Sequence, residues 1–174
     1  MNYLFELLKI SVSGVLVLIA AYFILSKMIE NSERRRYFEM KKESVKTLTP
    51  IKLTAYERLA LLLERINPES LVVRVQQPGM SARMLHLALI ATIKEEFDHN
   101  VAQQIYVSDT VWLMVRGAKE NLLQFINTVA SQVPDDMSGM DLGKAIIQKY
   151  DDTDDATPIQ AALDGLKREV RGFQ

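Results

Sequence analysis

Cysteine is absent from the chain, tryptophan occurs once, and there are only five prolines and seven glycines in 174 residues. Without cysteine there is no disulfide framework, no thiolate metal site and no thiol nucleophile. The compartment this fits is the cytoplasm. So little glycine and proline exclude a collagen-like or low-complexity chain, and no Gly-rich phosphate loop is present. An excess of one charge is also missing: the formal net charge is −1 and the pI about 6.1. Nothing in that balance draws the whole chain to nucleic acid, so any basic attraction is local.

What the chain does have is an uncharged run at 10–25. At about 1.5 Å per residue it rises roughly 24 Å, close to a hydrocarbon core of about 30 Å. Leu4, Phe5, Leu7 and Leu8 extend it backwards, Glu6 and Lys9 are spaced to pair, and Tyr3, Tyr22 and Phe23 suit the two interfaces. A basic leader and a small-residue cleavage site are lacking, so the run reads as an uncleaved transmembrane helix and not as a signal peptide. Eight basic residues lie between Lys27 and Lys52 and only Lys9 precedes the run. By the positive-inside rule the N-terminus is then outside and the rest lies in the cytoplasm, on an inner (cytoplasmic) membrane.

From Lys27 onward the expectation is a polar helix leaving the bilayer, with Arg34, Arg35 and Arg36 as its lipid-contact cluster. Pro50 should break it. Thr54-Ala55-Tyr56-Glu57 is a capping box opening the next helix, which carries Tyr56, Leu59, Leu62, Leu63 and Ile66 on one face. Residues 71–75 (Leu-Val-Val-Arg-Val) are ambiguous between strand and connector. A helix capped by Ser81 follows, so apolar that burial around most of its circumference is expected, and Asn100 stops it. From Asp109, Trp112, Val115, Leu122, Ile126, Val129 and Val133 form a helical stripe that crosses Gly117 in phase. Segment 135–155 holds seven aspartates against Lys144 and Lys149 and reads as a weakly packed arm with a short helix at 141–150. Thr157-Pro158-Ile159-Gln160 then starts an amphipathic tail helix.

The domain plan is therefore 1–9 outside, 10–26 transmembrane, 27–53 juxtamembrane helix and linker, 54–134 helical domain, and 135–174 acidic linker and tail. The fold class is all-α: a membrane helix, a small cytoplasmic bundle and an amphipathic C-terminal helix. A lone α+β alternative pairs 71–75 with 111–115 as strands in a ligand-sensing domain.

Candidate chemistry is sparse. Glu96 and His99 form a Glu-x-x-His pair, the spacing di-iron bundles use twice, but here it occurs once. His86 lies about 220° round the same helix from His99 and cannot join it at one ion. The Asp151-Asp152-Thr153-Asp154-Asp155 run lacks the glycine and glutamate of a calcium loop. The expectation is an interaction or scaffolding protein without catalytic residues or cofactor. Its partners would be the bilayer and either another protein or further copies of itself, with no nucleic acid. Ile159, Leu163, Leu166 and Val170 are the expected partner-binding stripe, in cis or in trans. The alternative is a metal-dependent enzyme centred on Glu96 and His99.

Glu96-Phe97-Asp98-His99-Asn100 followed by Gln103-Gln104-Ile105-Tyr106-Val107-Ser108 resembles a run found in small, membrane-anchored bacterial proteins of unknown function. The resemblance covers about residues 1–133. It implies a bacterial cytoplasmic membrane and brings no activity or catalytic residue with it.

Overall fold

The computed structural model describes residues 2–134, 137–152 and 157–172, the side chains of 2, 4–13, 17 and 44 excepted. Its elements are α1 (Asn2–Ile66), α2 (Pro68–Val75), α3 (Ala82–Asn100), a 3-10 turn (Val101–Ile105), α4 (Asp109–Ala130), α5 (Gly139–Asp151) and α6 (Pro158–Arg171). The protein is all-α, and no strand occurs among the described residues. Residues 71–75 and 111–115 are both helical, so the α+β pairing does not exist. The chain forms two compact units, Met1–Thr49 and Pro50–Gln174.

The first unit is helical throughout its described length, and its described side chains are exposed up to Leu48. α1 is long and apolar enough near the N-terminus to cross a membrane. The expected Glu6–Lys9 pair and the backward extension by Leu4, Phe5, Leu7 and Leu8 lie outside the described side chains. Pro50 does not break α1 but sits inside it. Its missing N–H and its ring cost about 3 kcal/mol, which the buried residues after it, Ala55, Tyr56 and Leu59, help to offset. Thr54 is accordingly no N-cap; its hydroxyl donates to the Pro50 carbonyl at 3.1 Å.

In the second unit Tyr56, Leu59, Leu62, Leu63 and Ile66 of α1 are all buried, on the face the sequence assigns to the core. Asn67 ends α1 and caps α2, its side chain accepting from the Glu69 N–H at 3.3 Å, with Pro68 at the first helical position. That start signal makes a helix of a β-branched segment and buries Leu71 and Val72. α3 buries Ala82, Leu85, Leu89, Ile93 and Phe97, at intervals of three and then four residues. It is not buried all round, since Met84 and Leu87 are exposed. α4 runs through Gly117 as expected, with Val111 rather than Trp112 on the buried stripe, and ends at Ala130, before Pro134.

The largest departure follows Pro134. Leu142 and Ile146 of α5 are fully buried, and α5 packs on α2, α3 and α4. The core therefore does not stop at 134, and this segment is no loose arm. Its aspartates are expelled to the surface while an apolar face at 142 and 146 turns inward. Asp135 and the acidic residues at 153–155 lie outside the described residues. α3 and α5 enter the bundle side by side: Ala82 N–H donates to the Met137 carbonyl and Gly139 N–H to the Met80 carbonyl, both at 2.7 Å. A Cβ on Gly139 would stand 3.0 Å from that Met80 oxygen, which explains the glycine.

Candidate functional site

Arg58 and Arg65 are seven residues apart on α1 and so share a face of it. With Leu61, Arg74 of α2, and Glu96 and His99 of α3, they line an open cleft of about 680 Å³. Glu96 is its hub. One carboxylate oxygen accepts from Arg65 Nε at 2.8 Å and lies 2.6 Å from Arg65 Nη2 and 3.4 Å from Arg74 Nη2. The Arg74 guanidinium also donates to the Arg65 carbonyl at 3.2 Å, closing the end of α1. Each guanidinium carries five N–H donors, so one carboxylate and one carbonyl leave most of them available. Arg58 makes no hydrogen bond or ion pair among the described residues, and its side chain is exposed.

This geometry decides how Glu96 and His99 relate. They do share the cleft, as their spacing requires, but the carboxylate already serves two cations. A metal ion there would have to displace both guanidiniums or bear their repulsion. His86 is elsewhere, its Nε2 2.7 Å from the Asn127 side-chain oxygen. Among the described residues no cluster of three or more His, Cys, Asp or Glu side chains is placed for a metal.

A second polar node joins α1, α4 and α6. Glu169 accepts from the Tyr56 hydroxyl at 2.6 Å, from the Ser108 N–H at 2.9 Å and from the Ser108 hydroxyl at 2.6 Å. It thereby satisfies an N–H at the start of α4, where the helix dipole favours negative charge. Burial pushes the Glu169 carboxyl up, but the bonds from Ser108 and Tyr56, with the Lys52 cation, outweigh it and hold the group below the usual carboxylate range. The phenol of Tyr56 is pushed far above its ordinary range, first by burial and then by the bond to Glu169 and its charge. The sequence places Tyr56 only on a helix face; its partner lies 113 residues away.

The remaining expected sites resolve individually. Trp112 is half-buried and stacks on Phe97 with ring centroids 5.4 Å apart, and Lys119 Nζ sits 4.2 Å above the opposite partner of that stack, the Phe97 ring. That is a core anchor with a cation over it. Arg34, Arg35 and Arg36 are exposed, and Arg35 pairs with Glu39 at 3.0 Å. The tail stripe packs in cis. Ile159, Leu163 and Leu166 are buried and Val170 is partly buried, because α6 lies on α4. Sequence reasoning missed Arg58, Arg65 and Arg74 as a group. The seven-residue spacing of the first two was a usable signal, whereas Arg74 joins them only through the turn at Asn67.

A family model described as "Family of unknown function (DUF7935)" matches residues 2–173. No curated protein and no solved structure matches the chain.

Proposed function

The chain belongs to the DUF7935 family, whose description assigns no function, and we propose that it is a single-pass membrane anchor carrying a helical interaction domain with no catalytic activity of its own. In this reading the apolar run at 10–25 spans a bacterial cytoplasmic membrane. The basic residues after it hold the second unit in the cytoplasm. The observation that carries the interaction role is the arginine cleft. Its guanidinium donors outnumber the acceptors that the described residues supply, and its wall includes the exposed Leu61. An acidic protein segment with an apolar side chain between its carboxylates fits that surface, since arginine pairs carboxylates through two parallel bonds.

Two measurements test this. The full chain should stay in the membrane pellet after high-salt and alkaline washes, while a chain lacking residues 1–26 should be recovered in the supernatant. Recovery of the full chain in the supernatant overturns the anchor. In detergent micelles the full chain should bind a fluorescein-labelled hexaglutamate peptide. Arg58→Glu should weaken binding by about tenfold, the effect of roughly 1.4 kcal/mol, within the range of a charge-assisted contact. Equal binding by the Arg58→Glu chain removes the cleft as the docking site.

A further inference from the structure

Beyond the apolar run, α1 continues as a helix whose described side chains are exposed through Leu48. Ser26, Ile29, Glu33, Tyr37, Met40, Ser44 and Leu48 follow one another at intervals of three, four, four, three, four and four. On a helix they fall within an arc of about 100°. The pattern repeats every eleven residues: Ile29 with Met40, Glu33 with Ser44, Tyr37 with Leu48. Ile29, Tyr37, Met40 and Leu48 are 59%, 60%, 63% and 51% exposed among the described residues. Met28, Phe38 and Val45 lie outside the arc.

We propose that this face is covered by the same face of a second copy, forming a short parallel coiled coil above the membrane. The inference rests on the membrane-spanning reading of α1. An eleven-residue period, 3.67 residues per turn, is what lets two helices of equal period stay in contact along a right-handed supercoil. A globular partner imposes no such repeat. The anchor selects the copy and the direction: every chain leaves the bilayer at the same residue, so two neighbours are parallel and in register. Ile29 meets Ile29, Met40 meets Met40 and Leu48 meets Leu48. Confinement to one membrane raises the effective concentration of the partner. The paired stretch, residues 26–48, is about 34 Å long and equals roughly three heptads, near the shortest length that sustains a coil. Glu33 places like charges at one layer, so the association is weaker than an all-apolar seam would give.

The absence of cysteine makes the test direct. Single variants Ile29→Cys, Met40→Cys, Asn31→Cys and Lys42→Cys of the full chain are oxidised in liposomes. Dimer at Ile29→Cys and Met40→Cys should exceed that at Asn31→Cys and Lys42→Cys, on the outer side of the helix, by about tenfold. In detergent, the cysteine-free chain should run above its 19.8 kDa monomer mass, Tyr37→Asp/Leu48→Asp should return it to that mass, and Glu33→Leu should strengthen the dimer. Equal crosslinking at all four positions, or a monomer that Glu33→Leu leaves unchanged, overturns the proposal, including where another protein covers this face instead. A pellet assay on the same liposomes reports failure of the anchor separately from failure of pairing.

Discussion

Glu169 shows how much one side chain near the end of the chain holds in place. Because its folded pKa lies below the ordinary carboxylate value, its contribution is present above the unfolded pKa, about 4.3, and is lost as pH falls through the folded one. Tyr56 works at the other limit. Its raised pKa gives stability that is full below about pH 10, the unfolded phenol value, and disappears as pH rises toward the folded value. Glu169→Gln should therefore lower stability by about 1–2 kcal/mol at neutral pH, discounted for partial exposure. The loss should shrink below pH 4, and thermal melting at pH 7 and pH 3.5 checks both. None of this was legible in the sequence, because a hydrogen bond between Tyr56 and Glu169 depends on how three helices come together. The Arg65–Glu96 pair was hidden for the same reason, although Glu96 and His99 were correctly seen to share a surface.

At the scale of helices, close approach is set by missing side chains. A Cβ on Gly143 of α5 would lie 2.8 Å from Val72 Cγ1, and one on Gly165 of α6 would lie 2.7 Å from Met114 Sδ. The distances are nearly equal but the obstacles differ. Valine in a helix has one strongly preferred rotamer, whereas methionine has three rotatable bonds and a soft sulfur. Gly143→Ala should cost about 1–3 kcal/mol, and Gly165→Ala should stay within about 1 kcal/mol once the helix propensity gained is counted. Urea denaturation followed by Trp112 fluorescence measures both. Local signals served well where they were strong: Ser81 and Thr157 each cap the helix expected of them. They misled at Pro50 and Thr54, where the helix on both sides overrode a local stop, and at 71–75, where β-branched residues follow a helix-starting Asn-Pro. Segment 139–151 was misjudged because its aspartate count concealed an apolar face with only two large buried side chains, Leu142 and Ile146.

At the scale of the molecule, the last helix belongs to the bundle. Ending the chain after Asp155 removes the buried Ile159, Ala162, Leu163 and Leu166 together with the Glu169 cap. Several kcal/mol are at stake against a total stability of about 5–15 kcal/mol. The expected result is a melting point lowered by on the order of 10 °C or more, measured by circular dichroism with the full chain as reference. An unchanged melting point would mean that α6 contributes nothing to the fold.

The bond between Tyr56 and Glu169 also has a meaning in time. A ribosome adds about 5–20 residues per second, so the 113 residues separating the two take roughly 6 to 23 seconds to make. By then the apolar run at 10–25, more than a hundred residues upstream, has long been made. Once α4 is made and until Glu169 follows, α4 lacks its carboxylate cap, and Val111 and Met114 lack the α6 backbone that they meet at Gly165. A chain that stops before residue 157 would carry the whole apolar run at 10–25 and yet lack the helix that closes the bundle.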